Sequence, residues 1–106
     1  MVEIAEDRQA DDIVLLDIRP VSPVADYFVI CNGTSERQLN TLTRTITDTV
    51  KKETGHVPLH TEGDAASGWI LLDFGDVVVH LFAPAERDYY RLEELWSAAL
   101  PVVRIY

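Results

Sequence analysis

The sequence contains one cysteine, Cys31, and no long apolar run. A single thiol cannot form an intramolecular disulfide, and nothing else in the sequence looks like a thiolate metal site, so we expect a reducing compartment. Without roughly 20 consecutive apolar residues, the chain offers no candidate transmembrane helix. The stretch from Met1 to Asp7 is acidic, unlike the start of a secretory or mitochondrial targeting segment. These absences predict a cytoplasmic protein that does not associate with membranes.

Positive charge is also scarce, because 18 acidic residues against 9 basic ones give a formal net charge of −9. Such a surplus repels a phosphate backbone at long range and therefore predicts little direct contact with RNA. Residues 35–54 hold four of the basic side chains, which leaves the remainder still more acidic. Solubility alone would explain an acidic surface. Electrostatic attraction to a basic protein is the more specific interpretation.

Motifs of catalysis and metal binding are missing as well. There is no Gly-rich phosphate loop, no His-Glu-x-x-His motif and no nucleophile elbow. His56 and His60 are four residues apart, but Gly55 and Pro58 argue against a shared helical face, which favours loop histidines over metal ligands. Cys31 has apolar neighbours and no adjacent histidine, which indicates a structural thiol. We expect no catalytic residue, no metal and no cofactor.

What the sequence does contain is enough apolar residues, 47% of 106, for the core of one domain spanning residues 1–106. Two short β-branched runs, Asp12 to Ile18 and Tyr27 to Cys31, have the pattern of buried, central strands. Ser35 has the position of a helix cap, in a capping box with Gln38. The helix that follows has one apolar stripe, and Gly55 ends it. The stripe consists of Leu39, Leu42, Ile46 and Val50.

Residues 69–74 and 77–82 flank Gly75-Asp76, a two-residue link that predicts a tight β-hairpin. Pairing outward from this turn gives one wholly apolar face, with Leu72 opposite Val79 and Ile70 opposite Leu81. We expect that face to be core. The other face mixes aromatic and polar side chains, as a surface that a partner covers would. It pairs Asp73 with Val78, Leu71 with His80 and Trp69 with Phe82.

A final helix is predicted over residues 86–100, with positions 89, 92, 96 and 99 on one apolar face and an end before Pro101. A short strand or tail would follow at residues 102–106. Strand, helix and hairpin in this order predict an α/β layer in which the helix covers one face of the sheet.

Three segments of the sequence resemble the Iojap family of ribosomal silencing factors. Residues 26–38 read DYFVICNGTSERQ, residues 62–63 and 68–82 read EG and GWILLDFGDVVVHLF, and residues 87–96 read RDYYRLEELW. The resemblance extends from about Ile4 to Leu100. It implies a single-domain, nucleotidyltransferase-like α/β fold with a mixed sheet and helices packed mainly on one face. It also implies a non-enzymatic protein, and organellar relatives that assist ribosome assembly.

The function implied by the resemblance is steric. Such proteins bind ribosomal protein fourteen of the large ribosomal subunit at the intersubunit face, block association with the small subunit, and repress translation when nutrients are limiting. An acidic domain suits this basic partner. Whether the free protein forms a homodimer is left open. The predicted docking patch combines hairpin and final-helix residues: Trp69, Asp73, His80, Phe82, Tyr89, Tyr90, Glu93 and Trp96.

The alternative is a divergent nucleotide-binding or nucleotidyltransferase-like enzyme. It would use the helix start at Gly33, Thr34 and Ser35 together with Asp73 and Asp76. No Asp-x-Asp pair follows that helix start, so a metal clamp for phosphoryl chemistry is missing. The hairpin register also makes Asp73 and His80 only diagonal neighbours, which disfavours an acid/base or metal cluster there.

Overall fold

The computed structural model describes residues 10–20, 23, 25–92 and 100–105. In chain order the elements are β1 (Asp11–Asp17), β2 (Tyr27–Asn32), α1 (Glu36–Thr54), β3 (His60–Asp64), β4 (Trp69–Asp73), β5 (Val77–Phe82), α2 (Pro84–Tyr90) and β6 (Leu100–Ile105). The strands form one sheet with the order β3-β4-β5-β2-β1-β6.

The sheet is mixed, as predicted. Strands β2 and β5 run parallel, and the other four neighbouring pairs are antiparallel. The two strands predicted from β-branched runs, β1 and β2, both lie inside the sheet with neighbours on each side. Their apolar composition fits that position because an internal strand is covered on both faces.

The edge strand β3 was missed. All five of its residues, in the sequence HTEGD, are exposed. Such a strand lacks the alternating apolar pattern that sequence reading depends on, and only its pairing with β4 defines it. His60 lies on this strand, whereas His56 lies in the preceding loop, so the two do not share a helical face.

The helix α1 is the element that the sequence predicted best. Ser35 caps it by accepting the Gln38 N–H at 3.1 Å, and Gly55 ends it in the left-handed conformation with φ 77°. The Gln38 side chain also takes part in the cap, since its Oε1 accepts the Thr34 N–H at 2.6 Å. All members of the predicted apolar stripe are buried: Leu39, Leu42, Ile46 and Val50.

The β4–β5 hairpin has the predicted register in every pair, from Asp73 opposite Val78 to Trp69 opposite Phe82. The Phe74 N–H donates to the Val77 carbonyl at 2.9 Å next to the turn. The wholly apolar hairpin face packs against α1 in one core cluster. The opposite face of the sheet has its own core cluster, in which Phe28, Ile30 and Phe82 are members. The protein thus buries both faces of its sheet.

The predicted final helix is wrong in its bounds and its face. α2 begins at Pro84, a favoured first helical residue, and ends after Tyr90, where the C-cap residue Arg91 has a left-handed φ of 47°. Tyr89 is 80% exposed whereas Leu92 is buried, so these two do not lie on one apolar face. No Gly or Pro marks Arg91 in the sequence, which is why the end was missed. Residues 93–99 lie outside the described residues, and a strand, β6, occupies the chain end.

The two helices whose bounds the structure describes lie on different sides of the sheet. The 19-residue α1 covers one face. The seven-residue α2 brings Tyr90 against Trp69 and Phe82 of the other face. The long helix α1 lies on one face as predicted, but α2 lies on the opposite face, which the prediction did not include. The coarser prediction of a small α/β protein with a mixed sheet is confirmed.

Candidate partner-binding surface

The predicted docking patch separates into a buried layer and an exposed layer. Phe82 has no exposed surface and His80 only 4%, so the prediction that both face a partner is wrong. Trp69 and Asp73 are half-buried. Tyr89 and Tyr90, at 80% and 42% exposed, form the outer layer. Phe82 and His80 are covered because this sheet face has a core cluster of its own.

Trp69 connects the two layers. Its ring stacks on Phe82 with centroids 5.0 Å apart and contacts Tyr90 at 4.5 Å. Tyr90 in turn meets the ring of Tyr89 edge-on at 5.1 Å. Aromatic pairs at these distances are stabilising beyond their apolar area, so buried rings hold the outer ones in place. We call Trp69, Tyr89 and Tyr90 together the aromatic surface.

His80 fixes the orientation of Trp69. The Trp69 Nε1–H donates to His80 Nδ1 at 3.2 Å, and the imidazole packs edge-on against Phe28 at 4.7 Å. Burial lowers the pKa of His80 from 6.5 to about 4, because a charged imidazole would lose its hydration. An acceptor Nδ1 also requires the neutral ring, with its proton on Nε2. His80 is thus a supporting residue, held neutral at physiological pH.

The lowered pKa of His80 predicts that the stability of the fold depends on pH. Because the folded-state pKa lies below the unfolded-state value, protons bind preferentially to the unfolded chain as the pH falls below 6.5. We expect His80 to lower the free energy of unfolding by about 2 kcal/mol between pH 7 and pH 5. Urea unfolding at both pH values should show this decrease in the original protein and in His56→Gln, but not in His80→Gln. Equal decreases in all three proteins would contradict it.

Beside the aromatic surface lies an open depression of about 260 Å³. Trp69, Tyr90 and the acidic residue Glu62 line it. Aromatic faces next to a carboxylate can receive the side chain of a lysine or arginine. The remaining lining residues are Gly63, Ser67 and Leu71.

A buried arginine that sequence reading did not single out holds α2 in place. Arg87 is 6% exposed, and its Nη1 donates to the Asp12 carbonyl and to Asn32 Oδ1, both at 2.8 Å. Its Nη2 lies 3.5 Å from the Asp12 carboxylate. Asp12 itself has a φ of 46° at an irregularity in β1. Arginine is seldom buried, so only its place in the RDYY segment could have drawn attention to it.

The structure gives no support to the enzymatic alternative. Two backbone amides at the start of α1 already donate hydrogen bonds within the protein. The Gly33 N–H donates to the Phe82 carbonyl, and the Thr34 N–H donates to the side chain of Gln38. Asp73 accepts the Gly75 N–H at 2.8 Å. Within the described ranges, no three His, Cys, Asp or Glu side chains come together as a metal site would need.

Cys31 is fully buried, and burial raises the pKa of its thiol to about 12. It is therefore a core thiol rather than a nucleophile, as predicted. Of the helices in the described part of the chain, none is long and apolar enough to span a bilayer. Glu93 and Trp96, the other members of the predicted patch, lie outside the described residues.

Known proteins are similar in sequence to this chain over nearly its whole length. The family model described as "Ribosomal silencing factor during starvation" matches residues 1–105. A Bacillus subtilis (strain 168) protein named ribosomal silencing factor RsfS is 46% identical over 94 residues, which cover 89% of this chain and 79% of that protein. The chloroplastic protein Iojap of Arabidopsis thaliana is 34% identical over 103 residues, or 96% of this chain and 42% of that longer protein.

The fold is shared as well. A crystal structure of a Chromobacterium violaceum protein superimposes with a TM-score of 0.84 at 36% identity, covering 91% of this chain and 79% of that one. The resemblance carried by the three sequence segments is thereby confirmed.

Proposed function

Because the chain belongs to the family of ribosomal silencing factors, we propose that it acts by occupying a surface of the large ribosomal subunit. The contacted protein is ribosomal protein fourteen at the intersubunit face. Occupancy there blocks the small subunit and represses translation under nutrient limitation, in the cytoplasm. Nothing is chemically transformed, and the relationship to the nucleotidyltransferase fold is one of architecture only.

The observation that carries this proposal is the aromatic surface. Tyr89 is 80% exposed, and its ring contacts the ring of Tyr90, which in turn packs against the ring of Trp69. Exposed aromatic rings on a rigid support are typical anchors of protein interfaces, because they bury a large area at little cost in side-chain entropy.

Charge supports a basic partner. Five carboxylates lie on β3, β4 and α2, and the net charge of the whole chain is −9. They are Glu62, Asp64, Asp73, Glu86 and Asp88. Ribosomal proteins bind RNA and are basic, so their lysines and arginines can pair with these groups and enter the depression beside Trp69. A homodimer formed by the free protein through the aromatic surface would compete with this docking.

Sedimentation in a sucrose gradient tests the proposal. Added to separated subunits before they are mixed, the protein should travel with the large subunit and reduce the fraction of whole ribosomes in proportion to its occupancy. Reversing the charge of Glu62, which lines the depression beside Trp69, with Glu62→Lys should weaken both effects together. Profiles that stay the same at saturating protein would reject steric silencing.

A further inference from the structure

The lysine and arginine side chains that the structure describes, all within residues 10–92, fall into two groups. Outside α1, three arginines each have an aspartate partner: Arg19 with Asp17 at 2.6 Å, Arg87 with Asp12 at 3.5 Å and Arg91 with Asp88 at 3.7 Å. On α1 there are four further cations, and within the described part of the chain none of them forms an ion pair. They are Arg37, Arg44, Lys51 and Lys52.

Three of these unpaired cations share one side of α1. Arg37, Arg44 and Lys51 are seven residues apart, and all are exposed. At 3.6 residues per turn, this spacing places them in one line roughly opposite the buried stripe of the helix, about 10 Å from one to the next and about 21 Å from first to last. We call them the basic stripe. Asp48 is the acidic residue on the same side.

The basic stripe and the aromatic surface lie on opposite sides of the sheet. α1 packs on the face that includes Leu72 and Val79, whereas Trp69 belongs to the other core cluster. Two different partners can therefore be held at once. At physiological ionic strength, charges are screened over about 8 Å, so a ligand on α1 senses mainly the charges of α1 rather than the negative total.

Resting on the proposed function, we propose that the basic stripe binds backbone phosphates of a segment of large-subunit ribosomal RNA that reaches the side of the domain facing away from ribosomal protein fourteen. A straight line of separate cations matches a chain of phosphates better than a single small anion, which needs converging donors. Side chains of Thr41 and Thr47 flank the line and can donate hydrogen bonds to phosphate oxygens. The contact is local and adds no base specificity.

Salt dependence of binding to purified large subunits tests this contact. Each phosphate neutralised by a cation contributes a slope of about −0.7 to −0.9 in log K against log salt. We expect Arg44→Gln to make the slope shallower by nearly one, and the triple variant Arg37→Gln, Arg44→Gln, Lys51→Gln by about two to three. The charge-matched control is Arg19→Gln, an exposed arginine outside α1, and its slope should stay as in the original protein.

A variant with the opposite effect strengthens the test. Asp48→Asn removes the acidic group from the stripe and should raise the affinity for large subunits severalfold at physiological salt. The substitutions in α1 are on exposed positions of a well-capped helix, so circular dichroism and urea unfolding should confirm intact proteins. A triple variant that binds with the original affinity and slope overturns the RNA contact and leaves steric silencing standing.

Crosslinking identifies the contacted molecule. A photoreactive amino acid at position 44, irradiated in the complex with large subunits, should give an adduct that ribonuclease removes. An adduct that only protease removes, or the absence of an RNA adduct, overturns the inference. Failure of the original protein to bind large subunits in the same assay would instead overturn the proposed function.

Discussion

Replacing Tyr89 with alanine should weaken binding to the large ribosomal subunit by about 30-fold, or about 2 kcal/mol, the usual effect of removing an aromatic anchor. Tyr89 is 80% exposed and its ring meets Tyr90 edge-on, so little of the fold depends on it. The free energy of unfolding should therefore change by less than about 0.5 kcal/mol. Titration of labelled protein with large subunits and urea unfolding measure the two quantities separately.

The matched control is Leu59→Ala. Leu59 is also a large, exposed apolar residue, at 66%, but it lies at the turn end of the hairpin, where its N–H donates to the Asp73 carbonyl. This variant should bind as the original protein does. Equal affinities of Tyr89→Ala and Leu59→Ala would show that the aromatic surface is not the docking site. Loss of binding in both would point to a general apolar attraction instead.

Replacing Arg87 with alanine should lower the free energy of unfolding by about 3 to 5 kcal/mol, as expected when one partner of a buried charged network is removed. The Asp12 carbonyl and Asn32 Oδ1 would each lose a donor at 2.8 Å in a half-buried place. Because Arg87 connects α2 to the ends of β1 and β2, binding through Tyr89 and Tyr90 should fall as well.

Arg91→Ala is the control for Arg87→Ala. It removes the same kind of side chain one turn later, where the arginine side chain is 57% exposed and pairs with Asp88 at 3.7 Å. An exposed pair of this kind contributes about 0 to 1 kcal/mol. In thermal unfolding, the melting temperatures of the two variants should therefore differ widely. Similar melting temperatures would mean that the contacts of Arg87 do not stabilise the fold.

Sequence reading succeeded where local rules decide the structure. The helix α1 carries its own cap, stripe and terminating glycine, and the hairpin carries a turn that sets the register of both strands. It failed where local signals are weak. The strand β3 has no apolar residue to mark it, and the left-handed Arg91 ends α2 without a glycine.

For the candidate site, too, strand pairing could be predicted from the sequence whereas exposure could not. Pairing rules placed Trp69 opposite Phe82 and Leu71 opposite His80 without any structure, and both pairs are observed. Which of these side chains reach the surface was beyond such rules, because burial depends on what covers a sheet face from elsewhere in the chain. Here Phe82 and His80 are covered and Tyr89 is not.

The sequence by itself determined the family, the mixed α/β character, the α1 helix, the hairpin register and the acidic charge, since each depends on composition or on neighbours within a few residues. Only the tertiary structure decided that His80 is a buried support, that Arg87 fastens α2, and that the unpaired cations of α1 face away from the aromatic surface. The physical reason is that exposure and charge pairing arise from contacts between segments far apart in the chain, as the 75-residue separation of Arg87 and Asp12 illustrates.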